Sequence, residues 1–313
     1  MKVAVSVVTF SKNMELVNEL KKYFSDVRIN TLGRRYSKEE LIDALRDSDA
    51  AIIGLDKIDE EVLKNCPNLK VIAKYGIGTD KINFDDCKRY GIEVILQQGI
   101  NKRSVAELTL SMMLGLIRGT YTSSLQLKRN FWNKYDNEGR NLTGKTVGII
   151  GVGNIGKDLV SLLEPFKCNI LVNDIREDLE QKQFYREKNL KEESKEGIYK
   201  QADIITIHTP LTKFTKNMIT KKQFLMMKPQ CFIINTSRGE IINEEDLLWA
   251  LKNKIIAGAG LDVYNEEPPK NLEELLKLEN VYCTPHIGGT SKESILEMGY
   301  AAINNLKNYF KMK

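Results

Sequence analysis

Two series of short apolar runs, each run followed by a helix-like amphipathic stretch, constrain this chain more than any other feature. In the first hundred residues the runs fall at 3–9, 50–54, 69–75 and 92–95. A long helical stretch follows from about Ser104, and a second series then occupies 146–151, 169–173, 203–208, 231–235, 257–262 and 281–284. Strands that alternate with helices pair in parallel, because each return of the chain needs a crossover, and the helices then cover the sheet. Two such series predict two α/β units, and 313 residues with 42% hydrophobic side chains supply two modest cores but fall short of three. A last helix, roughly 291–309, has no sheet of its own left to cover. It is expected to cross back onto the first unit, giving a discontinuous domain of 1–98 with 287–313 around a second domain of 99–286. The chain shows no solenoid repeat, heptad run or low-complexity linker. The strongly charged stretch 176–200, with Glu177, Asp178, Glu180, Lys182, Arg186, Glu187 and Lys188, reads as a solvated helix and loop surface.

The segment TVGIIGVGNIGKDLVSLLEPF places Gly151, Gly153 and Gly156 in G-x-G-x-x-G spacing between a strand-like and a helix-like run. In that context Gly151 permits the tight turn, Gly153 lets the backbone approach a pyrophosphate, and Gly156 lets helix and strand pack closely. The helix N-terminus then faces the phosphates. About twenty residues on, the run NILVND ends in Asp174, whose carboxylate suits ribose hydroxyls and repels a 2′-phosphate. Arg176 offers a phosphate partner only once Asp174 is neutralised, so the expected cofactor is NAD.

Three later strand ends each deliver one residue suited to oxidising a 2-hydroxy acid: Arg238 in INTSRGE, Glu267 in LDVYNEEPP and His286 in TPHIGG. The carboxyl ends of an open parallel sheet line its ligand crevice. His286 fits the base that takes the hydroxyl proton. Glu267 can orient the imidazole and, as a nearby opposite charge, favour its protonated form for the reverse direction. The guanidinium fork of Arg238 can hold a substrate carboxylate and polarise the C2 oxygen. The chain has two histidines. The other, His208, is a competing base that ranks below His286; its position equally suits a nicotinamide pocket or a structural role.

The formal charge of +5 is spread along the chain with acids interleaved, which tolerates anionic ligands without demanding nucleic acid. Cys66, Cys87, Cys168, Cys231 and Cys283 are scattered without metal-ligand or redox spacing, so no metal is expected and the cysteines read as reduced core residues of a cytoplasmic protein. The N-terminus lacks the pattern of a secretory signal, and the richest apolar stretch, 108–117, is too short to cross a membrane.

With these residues in place, the chain resembles the D-isomer-specific 2-hydroxyacid dehydrogenase family over almost its entire length. The resemblance rests on KYGIGTDKIN, NKRSVAEL, GKTVGIIGVGNIG, HTPLT, MKPQCFIINTSRGEIINEEDLLWAL, AGLDVYNEEPP and TPHIGG, found in that order. It implies a Rossmann-type doubly wound parallel sheet with a second, discontinuous, flavodoxin-like α/β substrate domain. It places Arg238, Glu267 and His286 on the family's catalytic set and Asp174 on its ribose-binding acid. Asp262 falls near the nicotinamide carboxamide, and Thr236 and Ser237 lie along the cofactor cleft, with Asn154, Ile155, His208, Thr209, Pro210 and Gly288 among the cofactor contacts. Tyr75, Gly76, Ile77 and Gly78 fall in the substrate loop, whose backbone N–H groups would cradle a carboxylate. That loop departs from the family's usual Asn and Asp at Lys81 and Asn83. The resemblance further implies a homodimer built through the helix from about Val105, although Met112, Met113, Leu114 and Leu116 equally suit an intramolecular core.

The expected reaction is hydride transfer between NAD and a small D-2-hydroxy or 2-oxo acid. D-3-phosphoglycerate and D-glycerate lead, with hydroxypyruvate or glyoxylate in reverse, ahead of D-lactate, longer apolar acids, formate and phosphite. For a phosphorylated substrate Lys57, Lys102, Arg103, Arg34 and Arg35 would be the basic contacts, though each alone reads as solvated surface charge. The chain stops soon after its last helix, so the regulatory domain of some phosphoglycerate dehydrogenases is not expected. Closure of the lobes on ligand binding is expected. The alternative from another class is an NAD-sensing, corepressor-like binding protein, which would tolerate loss of His286.

Overall fold

The computed structural model describes residues 1–135, 138–270 and 272–312, and the chain divides into two units, Met1–Asn101 with Gly289–Lys313 and Lys102–Gly288. In the first unit β1 (Lys2–Val5), β2 (Asp26–Ile29), β3 (Ala50–Ile53), β4 (Val71–Lys74) and β5 (Glu93–Ile95) form one sheet in the order β2-β1-β3-β4-β5. Every pairing is parallel. The inner strands β3 and β4, AAII and VIAK, are buried along their whole length, as strands covered on both faces must be, whereas edge strand β2 alternates towards solvent. The order is that of a flavodoxin-like sheet.

The apolar run at 3–9 is not one strand. After Val5 the chain turns and enters a short helix, Val8–Lys12, which buries Phe10. The helix Met14–Tyr23 then starts at Asn13, whose side chain accepts the backbone N–H groups of Glu15 and Leu16. The last helix, Lys292–Tyr309, starts on a Ser291 cap and turns Met298, Ala302, Ile303 and Leu306 inward. These pack with Leu16, Leu20 and Phe24 in the core under β1 and β4. Each such buried aliphatic side chain contributes roughly 1.5–3 kcal/mol, so this unit depends on residues from both ends of its sequence.

The second unit carries β6 (Thr146–Ile150), β7 (Asn169–Asn173), β8 (Lys191–Glu192), β9 (Ile204–Ile207), β10 (Phe232–Asn235), β11 (Gly258–Leu261) and β12 (Val281–Cys283), in the parallel order β12-β11-β10-β9-β6-β7-β8. The chain runs outward from β6 to β8, then returns to the other side of β6 with β9, so the Rossmann switch point lies between β6 and β9. Strand β8 was not legible, because an exposed Lys-Glu pair carries no strand signal. The charged stretch around it is only partly a solvated surface: two helices, Leu179–Glu187 and Lys195–Gln201, bury Gln181, Tyr185, Ile198 and Tyr199. The helix Lys102–Ile117 buries Met112, Met113 and Leu116 in its own unit's core. Gly119, at φ 63°, ends it, and the helix Thr120–Lys128 that follows buries none of its residues. Among the described residues no helix is long and apolar enough to cross a membrane.

At Gly299 the last helix lies close against the helix Met14–Tyr23: a Cβ there would lie 2.3 Å from Leu16 Cδ1. Gly299→Val is expected to destabilise the first unit by about 1–3 kcal/mol, the usual cost of overpacking, read as a lower urea midpoint. An unchanged midpoint would mean that Leu16 moves aside freely.

Candidate active site

The candidate residues of the second unit all follow carboxyl ends of its parallel strands. Gly151 follows β6, Asp174 follows β7, His208 to Pro210 follow β9, Thr236 to Arg238 follow β10, Asp262 and Glu267 follow β11, and His286 and Gly288 follow β12. Parallel pairing therefore delivers them to one edge of one sheet.

At the switch point Gly151 holds φ 95°, and a Cβ there would lie 2.5 Å from the His208 carbonyl oxygen, so the turn accepts only glycine. A Cβ on Gly156 would meet the Gly151 carbonyl oxygen at 2.4 Å, which sets how closely the helix lies against the turn. Around Gly153, by contrast, the position of a Cβ is open space. The helix Asn154–Leu163 begins there with no side-chain cap, whereas the helices beginning at Leu179, Lys195 and Glu244 are capped by Asp178, Ser194 and Asn243. Its first N–H groups, including those of Asn154 and Ile155, thus present the donors and dipole that a pyrophosphate uses. Nearby, His208 Nδ1 and Thr209 Oγ1 are buried polar atoms without a hydrogen-bond partner among the described residues, while His208 Nε2 lies 3.0 Å from Thr206 Oγ1. Orphaned buried polar atoms call for a partner. Together with the open cradle at Gly153, they make these residues fit a dinucleotide.

Asp174 accepts the Val152 N–H at 2.6 Å and the Arg176 N–H at 2.9 Å. The acid that ends β7 is therefore tied to the glycine turn itself.

On the other strands, Glu267 and His286 meet: both carboxylate oxygens lie 2.8 Å from His286 Nδ1. A carboxylate can only accept, so Nδ1 carries the proton and donates, leaving Nε2 for proton exchange with a ligand. His286 is held at φ 54° by Asp262, which is buried. Its oxygens accept from Thr284 Oγ1 at 2.6 Å, Ile287 N at 2.8 Å and Gly288 N at 2.8 Å. Burial raises the Asp262 carboxyl above the usual range, and those three donors oppose the shift. From the other side, Ser104 Oγ donates to the Gly288 carbonyl oxygen at 2.6 Å.

Arg238 sits on a loop shaped by buried Asn235. The Asn235 Nδ2 group donates to the Arg238 carbonyl oxygen at 2.8 Å, and its Oδ1 accepts the Ser237 N–H at 3.1 Å. Ser237 Oγ donates to Ile207 O at 2.6 Å, and Thr236 Oγ1 lies 3.0 Å from Thr109 Oγ1. Gly239 lets this loop lie against the one that carries Glu267, since a Cβ on it would meet the Tyr264 carbonyl carbon at 2.0 Å.

The loop Tyr75, Gly76, Ile77 and Gly78 belongs to the first unit. Gly76 adopts φ 89°, and Tyr75 donates its hydroxyl to Ile295 O at 3.2 Å. Lys74, which the sequence reading passed over as part of a strand, is buried, and its Nζ donates to the Tyr75 carbonyl oxygen at 2.9 Å. Of the basic residues considered for a phosphate, Arg34 pairs with Glu40, Lys57 with Asp59 and Arg103 with Asp158. Asn235, Thr284 and Ser104 were also missed. Asn235 and Thr284 adjoin motif residues, but only packing shows what they hold.

All five cysteines are free thiols. Burial pushes Cys66 and Cys168 up to about 11 and Cys231 to about 12, so these stay protonated and unreactive near neutral pH. Among the described residues no group of three or more His, Cys, Asp or Glu could hold a metal ion.

Comparison with known proteins adds sequence kinship to this geometry. Residues 110–288 match the family model described as D-isomer specific 2-hydroxyacid dehydrogenase, NAD binding domain. A glyoxylate reductase of Thermococcus litoralis is 36% identical over 284 residues, covering 85% of this chain and 82% of the relative. A D-3-phosphoglycerate dehydrogenase of Methanocaldococcus jannaschii is 35% identical over 274 residues; the match spans 87% of this chain but 51% of that protein. The crystal structure of D-lactate dehydrogenase from Aquifex aeolicus, complexed with NAD and lactic acid, superposes with a TM-score of 0.84 at 27% identity, covering 99% of this chain and 96% of the other.

Burial lowers His208 from 6.5 to about 4. The unfolded chain therefore takes up this proton first as pH falls, and the native state loses stability from about 6.5 down to about 4, with no further loss below. Urea midpoints should accordingly drop less between pH 7 and pH 5 in His208→Gln than in the unaltered protein; parallel drops would refute the assignment.

Proposed function

This chain belongs to the D-isomer specific 2-hydroxyacid dehydrogenase family, and from that premise we propose that Arg238, Glu267 and His286 form its catalytic set, acting on a small unphosphorylated 2-oxo acid such as glyoxylate or hydroxypyruvate. The protein is an NAD-dependent oxidoreductase of hydroxy acids. The observation that carries the catalytic assignment is the paired contact of Glu267 with His286 Nδ1, at 2.8 Å to each oxygen. It fixes the tautomer and leaves one ring nitrogen for the substrate.

When bound, the nicotinamide cofactor would supply the hydride for C2 of the 2-oxo acid, or accept it in the opposite direction. As the C2 oxygen gains charge, His286 gives it a proton from Nε2, and the ring takes a replacement from water, so the 2-oxo acid becomes the 2-hydroxy acid. Glu267 keeps the ring oriented and stabilises its charged form before the transfer. Arg238 pairs with the substrate carboxylate and steadies the developing oxyanion. The dinucleotide is held by the Gly151–Gly153 turn, by the first N–H groups of the helix at Asn154 and, through its ribose, by Asp174. His208, Thr209, Pro210, Thr236, Ser237, Asp262 and Gly288 line the rest of its path. In the first unit, which we assign as the substrate domain, the glycine turn of Gly76, Ile77 and Gly78, with Gly76 at φ 89° beside the buried Lys74 ammonium, suits an anion.

Two observations favour an unphosphorylated substrate. Three basic residues that a phosphate would need are held in ion pairs, and the glyoxylate reductase is matched along most of its length. The assay is NADH oxidation against glyoxylate, hydroxypyruvate, pyruvate and 3-phosphohydroxypyruvate. We expect turnover on the first two and none that depends on the phosphate; a strict phosphate requirement would sink the substrate assignment. His286→Gln should lower kcat by about 10²–10⁴, the usual worth of a positioned acid or base. Arg238→Gln should raise KM for the oxo acid while KM for NADH stays put. Full activity in His286→Gln would dismiss the mechanism.

We also place the protein in the cytoplasm, consistent with five free cysteines, and assign it as a homodimer. Since Met112, Met113 and Leu116 face their own core, the pairing surface we assign is the stretch just beyond. There Leu127, Phe131, Trp132 and Tyr135, close together in sequence, are all exposed, and exposed large apolar side chains suit an association site. Light scattering should give about twice the chain mass of 35.7 kDa and the single mass for Trp132→Glu. A monomer in the unaltered protein would refute the pairing.

A further inference from the structure

Gln181 is fully buried in a helix that is otherwise rich in exposed charged residues, and no step of the reaction needs it. Its Nε2 donates to Val152 O at 3.2 Å and to the Tyr185 hydroxyl at 2.8 Å, and its Oε1 accepts from Arg176 Nη2. Arg176 Nη2 also donates to Val152 O at 2.7 Å, and its Nε lies 3.5 Å from Asp174 Oδ1. A buried primary amide is tolerated only when its donors and acceptor are engaged, and here all are. Among the groups Gln181 satisfies, the guanidinium is the one that carries charge.

We propose that Gln181 is a specificity-determining residue for the dinucleotide: it holds the Arg176 guanidinium against Val152 O and beside Asp174, which keeps that cation from serving a 2′-phosphate and sets the preference for NAD over NADP. The inference rests on the reading of Asp174 as the ribose acid. A 2′-phosphate next to Asp174 would meet like charge, and only a guanidinium free to turn its fork outward relieves that repulsion. Arg176 stands two residues from Asp174 but is committed elsewhere: one nitrogen serves two fixed neutral acceptors and another faces the carboxylate. To turn its fork to a phosphate it must give these up and leave the buried Gln181 oxygen without its donor, which is costly. Removing the Gln181 oxygen leaves Val152 O as the lone neutral acceptor and frees the fork. Strengthening that oxygen with charge fixes the fork more firmly.

The test is direct titration of NADH and NADPH by fluorescence, which needs no substrate, on the full chain and on two variants. Gln181→Met keeps the length and removes the acceptor. It should tighten NADPH relative to NADH by about tenfold, the worth of one charge-assisted hydrogen bond, with NADH itself changed by less than about twofold. Gln181→Glu should move the ratio the other way, and it remains readable if the Met variant does not fold. Equal weakening of both dinucleotides would reveal a merely structural residue and overturn the proposal, as would a ratio unmoved in the Glu variant. Binding of neither dinucleotide to the unaltered protein would overturn the NAD reading together with the proposal; NADH binding with an unmoved ratio would overturn the proposal alone.

Discussion

The carboxylate of Asp262 is taken out of water and answered by three donors from one short turn: the Thr284 hydroxyl and the N–H groups of Ile287 and Gly288. Burying a charge costs several kcal/mol unless such partners are in place, so the turn and the acid stabilise each other or neither persists. Between the donors lies His286, held in the left-handed conformation. Ser104, reaching from the helix Lys102–Ile117, fixes the Gly288 carbonyl from the opposite side. The direction of the imidazole is thus a property of strand ends and a helix rather than of the histidine, which is how a proton donor stays aligned while ligands come and go.

The same device appears at the cofactor end. Asp174 closes β7 and accepts N–H groups of the glycine turn and of its own loop, as Asp262 closes β11 and accepts those of the turn beyond β12. In both places a carboxylate at the end of one strand organises the backbone that follows another. Parallel pairing makes this possible, because it brings all these ends to one edge with backbone donors that the ladder no longer uses. Arg176 and Gln181 extend the device by one layer, gripping Val152 by its carbonyl while Asp174 grips its N–H.

Much of the architecture was legible because it rests on periodicity. The runs that became β3, β4, β9 and β10 are mostly apolar without alternation, as strands buried on both faces tend to be, and the glycine spacing located the switch point. What stayed hidden depends on partners distant in sequence. The run at 3–9 reads as one strand, yet it divides because the sheet ends at Val5 and Phe10 is needed in the core beneath. The exposed pair Lys191–Glu192 is a strand only because β7 offers it an edge. Gln181 sits among charges that correctly suggest a surface, and nothing local shows that this one polar side chain points inward. Arg103 advertised positive charge, but its acidic partner Asp158 lies 55 residues away. For the candidate site, residue types and order were readable, whereas the supports of Arg238 and His286, Asn235 and Thr284, required the fold.

The first unit takes its core from both ends of the chain, and this has a consequence for synthesis. Residues 102–288 are contiguous, so the second unit can complete its sheet as it leaves the ribosome. At roughly 5–20 residues per second, the helix Lys292–Tyr309 emerges only after the whole second unit, long after β1 and the helix Met14–Tyr23. Until it docks, Leu16, Leu20 and Phe24 lack the apolar cover of Met298, Ala302, Ile303 and Leu306. The first unit is therefore begun before the second and finished after it, and in between it waits with an open greasy face that chaperones, or other nascent copies, are placed to meet.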